Sequence, residues 1–227
     1  MPAYQLEPTI RDNIDRVVAV VGGWDSTEII VIDDGSTDDT RGFAEKAAAS
    51  HDMVTVVGYD QNRGKGGALK EGFHQSRGST IVFLDADLDL PPEQLPVFLD
   101  ELAHTGVDAI VGAKRSAMVS GRYPLIRKML SVAFAAMNQF LFRLPVRETQ
   151  TGLKAFTRDV LDTTLPQLET AGYAFDLELL VRIRKAGGSM AEAPVTLAPG
   201  SSRGLSPLTL WEMGRDTIKI WLHSLRW

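Results

Sequence analysis

The chain has 227 residues, 44% of them hydrophobic, with 24 Lys/Arg against 29 Asp/Glu and no cysteine. That length suits one good-sized α/β domain, and the lack of thiols excludes a disulfide framework and a thiolate metal site. The net charge of −5 argues against a general nucleic-acid binder, and the longest mostly apolar stretch, Met129–Phe142, is too short to span a bilayer.

Taken in chain order, Ile10–Val21 predicts a helix with Asp12 and Asp15 on its polar side. Glu28–Ile32 is β-branched and unbroken, as buried parallel strands are. It runs into Asp33-Asp34-Gly35-Ser36, and Ser36–Asp39 then begins a helix over Thr40–Ser50. Met53–Tyr59 is the next strand, Asn62–Gly67 a glycine-rich turn, and a helix follows through His74. Thr80–Leu84 is a strand, Pro92–Thr105 a helix and Asp108–Ala113 a further strand. Such alternation predicts a mostly parallel sheet covered by helices on its faces. Later come a long helix over Ile126–Phe142, another over Ala174–Ala186 and a short strand at Ala191–Leu197.

The C-terminal stretch has a clear helical period. Glu212, Arg215, Asp216, Lys219, His223 and Arg226 share one face; Trp211, Ile218, Trp221, Leu222 and Leu225 share the other. It reads either as a surface helix packed on the core or as a helix lying in a membrane interface. The expected division is a globular domain over residues 1–205, in halves 1–115 and 116–205, followed by this amphipathic helix over 206–227. Charge is uneven. Lys114 to Arg158 contains nine Lys/Arg and one acidic residue, Glu148, a net of +8. A basic segment on an acidic chain suits an anionic partner, either phosphate or an anionic membrane surface, and peripheral membrane contact is expected through 114–158 and 206–227.

The sharpest chemical signal is Phe83-Leu84-Asp85-Ala86-Asp87-Leu88-Asp89. If extended, the segment directs its three carboxylates the same way at a strand end. Crowded carboxylates repel unless a cation lies among them, and hard divalent ions take oxygen ligands together with substrate phosphates. Asp85, Asp87 and Asp89 are therefore expected to hold Mg²⁺ or Mn²⁺. An EF-hand is excluded, because Leu90 and Pro96 stand where its glycine and glutamate belong. A solvated acidic turn is the bland alternative. A second acidic pair, Asp33-Asp34, ends another strand, and the two clusters together suit a nucleoside diphosphate carried on a metal. Asn62-Arg63-Gly64-Lys65-Gly66-Gly67 adds two cations on a flexible turn without P-loop spacing.

With these residues in view, the chain resembles the GT-A fold glycosyltransferases of family 2. Pro2-Ala3-Tyr4, Asp33–Asp38, Asn62–Ala68 and Asp85-Ala86-Asp87 follow that family's order over about the first 115 residues. Glu148–Phe156 and Phe175–Leu179 are similar to the polyprenyl- and dolichyl-phosphate hexosyltransferases, the first of them closer to the glucosyl than to the mannosyl enzymes. The resemblance implies a GT-A sheet whose first family strand, ahead of Pro2, is missing. It places Pro2, Tyr4 and Asp33 on the nucleotide, with Asp34, Gly35, Lys65, Asp85, Ala86 and Asp87 also lining the donor. Arg115 would face the phosphates, Arg203 would close over the donor, and Glu148, Gln150 and Asp176 would lie near the sugar and acceptor.

The implied activity is metal-dependent inverting transfer of a hexose from a nucleotide sugar, UDP-glucose or GDP-mannose, to a lipid phosphate. Alternatives are a saccharide or small hydroxyl acceptor, with Asp176 as general base, and a non-catalytic nucleotide-sugar-binding relative. The expected location is the cytoplasm, peripheral at the cytoplasmic face of the membrane.

Overall fold

The computed structural model describes residues 1–114, 137–170, 172, 174–199 and 207–227, with side chains of the last segment described from residue 214. Arg115 and Arg203, most of the expected helix Ile126–Phe142 and the middle of the basic segment lie outside the described residues.

The elements run β1 (Pro2–Ala3), α1 (Ile10–Val21), β2 (Ile29–Asp33), α2 (Thr40–Ala48), β3 (Val54–Gly58), α3 (Lys65–Gln75) and β4 (Thr80–Leu84). There follow α4 (Leu95–Thr105), β5 (Ala109–Lys114), a short α5 over residues 137–142, β6 (Leu153–Thr157) and α6 (Arg158–Thr164). The chain ends with α7 (Phe175–Lys185), β7 (Met190–Val195) and α8 (Pro207–Ser224). Strands β1-β2-β3 form one parallel ladder, and β4-β6-β5-β7 a second in which β6 alone is antiparallel to its neighbours. The two meet where Pro2 pairs with Ile32 of β2 while its carbonyl accepts the amide of Ala86, just past β4.

Strand alternation divides the buried side chains into two cores. Leu84, Ile110, Leu153 and Ala155 pack with Ile10, Ile14 and Val17 of α1 and Phe98 and Leu102 of α4. Phe83, Val111 and Phe156 pack on the other side with Leu69 and Phe73 of α3, Leu161 of α6, Leu180 and Ile183 of α7 and Ile220 of α8. The sheet is thus covered on both faces, as its continuous apolar strands require.

Three differences from expectation have local causes. The glycine-rich turn ends sooner than its composition implies, because α3 already starts at Lys65. β6 has no expected counterpart: Lys154 interrupts its apolar run, and only the tertiary structure gives that ammonium its ionic partner. α8 turns a different side inward than its apolar stripe predicts. Thr217, Ile220 and Ser224 are buried, while Ile218, Leu222 and Leu225 are 53, 51 and 66% exposed. Arg182 of α7 lies over the Trp227 ring at 3.8 Å and Lys185 donates to the Ser224 carbonyl at 2.8 Å, so polar and ring contacts with α7 set the rotation of α8. Among the described residues no helix is long and apolar enough to cross a membrane.

Candidate active site

Three neighbouring strand ends open on one margin of the sheet: Asp33 at the end of β2, Ala3 paired beside it, and Asp85-Ala86 after β4. The antiparallel β6 starts at this same margin, and the Asp85 amide donates to the Gly152 carbonyl at 3.0 Å. In open α/β sheets this carboxyl end is where ligands bind.

Asp33 is 3% exposed, and its Oδ1 has no hydrogen-bond partner within the protein. A buried carboxylate oxygen left this way is costly, and it stands ready to accept N–H donors of a ligand. Asp34, also buried, is spoken for by protein groups. Its Oδ1 accepts the Tyr59 hydroxyl at 2.7 Å and the Arg63 amide at 2.8 Å, which pins the 60–64 loop over the end of β2. These two bonds give Asp34 a scaffolding role at this margin. Gly35 lies beneath that loop with φ of +69°, and a Cβ there would meet the backbone of Gln61 and Asn62. Pro2 is half-buried in β1, and Tyr4 is 47% exposed at the mouth.

Asp85 belongs to a chain of alternating charges. Lys65, from the first turn of α3, lies 2.8 Å from Asp85 Oδ1 and 3.4 Å from Asp176 Oδ2; Lys154 Nζ lies 2.8 Å from Asp176 Oδ1. Lys154 is 1% exposed and Asp176, in the first turn of α7, 4%. Burial would raise the Asp176 carboxyl, but Lys154 and Lys65 outweigh it and hold it below the usual range. Burial likewise opposes charge on Lys65, yet Asp176 and Asp85 keep its ammonium raised above its ordinary value. Lys154 is pulled down, chiefly by burial. A carboxylate locked between two ammoniums is a poor proton acceptor, so the general-base role considered for Asp176 does not suit its surroundings.

The acidic triplet is not gathered. Among the described residues no three His, Cys, Asp or Glu side chains are placed to hold a metal together. The extended path assumed from the sequence breaks after Leu84: the Leu88 amide turns back to the Asp85 carbonyl at 3.2 Å, and Leu88 itself is left-handed with φ of 52°. Ala86, Leu88 and Leu90 tuck into the core, and the Asp89 amide donates to Asp87 Oδ1 at 3.2 Å. Among the described residues, three carboxylates do not form a closed cage there. Mg²⁺-like ions are commonly held by one or two carboxylates plus substrate phosphates and water. Half-buried Asp85 and Asp87 at the margin suit that mode.

Gly152 keeps room for this arrangement, since a Cβ at that position would run into the Asp85 carboxylate. Gly152→Ala is expected to displace Asp85 and lower turnover about 100-fold, the scale of an ångström-level misplacement. Steady-state kinetics beside a thermal melt checks this, and a folded, fully active variant would show that the carboxylate tolerates the shift. Of the other expected residues, Glu148 is tied by its amide to the Glu192 carboxylate at 3.0 Å, and the buried Gln150 Nε2 has no protein partner. Gly152 and Lys154 were legible as part of a motif but not as site residues. The available signal was a lysine inside an apolar strand, which is almost never buried unpaired.

The family model described as Glycosyl transferase family 2 matches residues 1–165. The chain is 29% identical over 225 residues to glycosyltransferase AglD of Haloferax volcanii, covering 97% of itself but 36% of that protein. It is 33% identical over 218 residues to human dolichyl-phosphate beta-glucosyltransferase, covering 87% of itself and 64% of the relative. It therefore spans between about a third and just under two thirds of these relatives. Among solved structures it is similar to glucosyl-3-phosphoglycerate synthase from Mycobacterium tuberculosis in complex with UDP. There the TM-score is 0.76 and the identity 25%, with 98% of this chain and 77% of that one covered. For the same enzyme with Mn²⁺ and UDP-glucose the TM-score is 0.72 and the identity 26%, covering 98% and 76%. With an α/β sheet of the GT-A type and a family match over most of its length, the chain belongs to glycosyl transferase family 2.

Proposed function

We propose that this chain carries the donor site and transfer centre of an inverting, metal-dependent hexosyltransferase that moves glucose from UDP-glucose to a polyprenyl or dolichyl phosphate. The observation that carries the reading is Asp33, a buried carboxylate with an unpartnered oxygen at the margin where three strand ends open. It suits the N–H edge of a nucleotide base. The glucosyl relative and the solved UDP complexes favour uracil and glucose over guanine and mannose.

The chemistry follows from charge. As the sugar–phosphate bond breaks, negative charge grows on the departing diphosphate. Lys65, held charged between Asp85 and Asp176, supplies a fixed positive group at this margin that favours the transition state over the ground state. A divalent ion held by Asp85 and Asp87 would add further neutralisation when bound; the Mn²⁺ in the related solved enzyme supports this assignment. A lipid phosphate is already an anion and needs positioning rather than a base, which agrees with the locked state of Asp176. The family resemblance assigns Arg115 to the phosphates, Arg203 to closing over the donor, and Glu148 and Gln150 to the sugar and acceptor.

We infer peripheral membrane contact from exposed apolar groups with basic residues close to them in the chain. Phe140 is 84% exposed and close in the chain to exposed Arg143 and Arg147, and Ile218 and Leu222 of α8 and Leu225 just past its end are exposed as well. Replacing Ile218, Leu222 and Leu225 together with serine is expected to lower flotation on anionic liposomes at least tenfold. Turnover of a short water-soluble polyprenyl phosphate should be unchanged. Equal flotation of parent and variant would remove α8 from the interface.

The direct test is UDP release from UDP-glucose with Mn²⁺ or Mg²⁺, with and without a short polyprenyl phosphate. Release that depends on both acceptor and metal is the expected result. Release stimulated equally by saccharides, or unaffected by EDTA, would overturn the acceptor or the metal assignment respectively.

A further inference from the structure

Lys65 holds the carboxylate that the proposed reading gives to a divalent ion. Its ammonium lies 2.8 Å from Asp85 Oδ1 and 3.1 Å from Oδ2, so one cation faces both oxygens. The carboxylate is the fixed member of this pair. The Asp85 amide donates to the Gly152 carbonyl at 3.0 Å, and the next amide, that of Ala86, donates to the Pro2 carbonyl at 3.3 Å. The Ala86 carbonyl accepts Asn13 Nδ2 of α1 at 2.8 Å. Gly152 stands directly against the carboxylate, where even a Cβ would run into it. Lys65 is the movable member, since its ammonium ends a flexible aliphatic stem rooted in the first turn of α3.

A second carboxylate is already within its reach. Asp176 Oδ2 lies 3.4 Å from the same ammonium, while Asp176 Oδ1 is taken by Lys154 at 2.8 Å. Lys154 and Asp176 are both buried, so this end of the chain of charges is held in place by packing. With all four groups ionised the set is neutral, two ammoniums against two carboxylates. A divalent ion added by itself to such a set leaves a double positive charge without a counter-charge, which is costly away from water. It also meets Lys65 at Asp85, and like charges crowded at one carboxylate repel. A diphosphate that arrives with the ion restores the balance.

We propose that Lys65 and the divalent ion exchange at Asp85: the ammonium occupies the carboxylate until a nucleotide diphosphate and the ion arrive together, and then passes to Asp176 Oδ2. The proposal rests on the reading of Asp85 as a metal ligand and adds a coupling to it. Lys65 keeps the bare ion off the carboxylate, so the ion binds well only with the donor. Such coupling is reciprocal, and the nucleotide gains from the ion by the same factor. Lys154 has a defined part in this, because it holds Asp176 in place as the second seat for the Lys65 ammonium. The ammonium stays at the margin throughout, where it faces the departing diphosphate.

Mn²⁺ and UDP are the probes, and their binding to the full chain is read by calorimetry beside a thermal melt. The parent is expected to bind Mn²⁺ about tenfold or more tightly with UDP saturating than without it. Lys65→Met should bind Mn²⁺ alone about tenfold more tightly than the parent does and gain less from UDP. Lys65→Arg keeps the charge and should resemble the parent, whereas Lys65→Met combined with Asp85→Asn should lose the gain. A folded Lys65→Met chain that binds bare Mn²⁺ no better than the parent, or a gain that survives Asp85→Asn, overturns the exchange and leaves the metal site standing. Mn²⁺ binding to the parent that responds neither to UDP nor to Asp85→Asn overturns the metal reading itself, and the exchange with it. If Lys65→Met does not fold, the parent carries the test. The side-chain carbon resonance of isotope-labelled Lys65 should then shift with Mg²⁺ and UDP together beyond the shift given by UDP alone. An unmoved resonance while the ion binds through Asp85 overturns the exchange.

Discussion

Replacing Lys154 with methionine is expected to cost the fold about 3–5 kcal/mol, the usual penalty for breaking a buried ion pair. The Lys154 ammonium is fully buried and sits 2.8 Å from Asp176. Without it Asp176 retains only Lys65, at the longer distance of 3.4 Å, and remains partly uncompensated in a dry interior. The urea midpoint reads the loss. Combining Lys154→Met with Asp176→Leu removes both charges and should recover most of the stability, because an apolar pair of similar volume often matches a buried ion pair. Turnover should not return with it: Lys65 then lacks the second carboxylate that holds its ammonium beside Asp85. A single variant as stable as the parent, or a double variant with restored turnover, would break the link between the buried pair and the site. The pair also sets acid sensitivity. Asp176 is held below its ordinary value of 3.8, so its contribution is complete above that pH and is lost as the pH falls through the lowered value.

Asp33→Ala should move stability and binding in opposite directions. A buried acceptor without a donor costs about 1–3 kcal/mol, so its removal is expected to leave the ligand-free melting temperature unchanged or higher. Affinity for UDP should fall about 10- to 150-fold, since hydrogen bonds to a charged group contribute about 1.5–3 kcal/mol. Calorimetric titration with UDP and a thermal melt of the same samples separate the two effects. Unchanged UDP affinity in a folded variant would move the base away from β2. A large loss of ligand-free stability would make Asp33 a structural residue.

Local pattern was enough for the early elements. Ile10–Val21 and Thr80–Leu84 form over the residues expected, and the alternation of strands with helices leads to a sheet covered on both faces. Hydrophobic periodicity and turn residues are properties of neighbours along the chain, so they are legible without contacts. The acidic ends of β2 and β4 were legible for the same reason. β6 was not, because Lys154 looks polar in sequence and its ionic partner, Asp176, lies 22 residues away. The inward face of α8 was missed on similar grounds: its rotation is set by Arg182, Lys185 and Glu169, which belong to other elements.

What the sequence determined by itself is the α/β alternation, the family order of its motifs and the position of the acidic residues at strand ends. The first and the last follow from one- to four-residue spacings along a regular backbone, and the motif order is what the family resemblance supplied. What only the tertiary structure decided is how those charges are used. The left-handed Leu88 spreads the aspartates instead of gathering them, Asp34 is committed to the 60–64 loop, and Asp33 is left with a free oxygen. Lys65, Lys154, Asp85 and Asp176 become one chain of charges because α3, β6, β4 and α7 converge there. Electrostatic partners are chosen by distance in space and by burial, and neither is written in the spacing of residues along the chain.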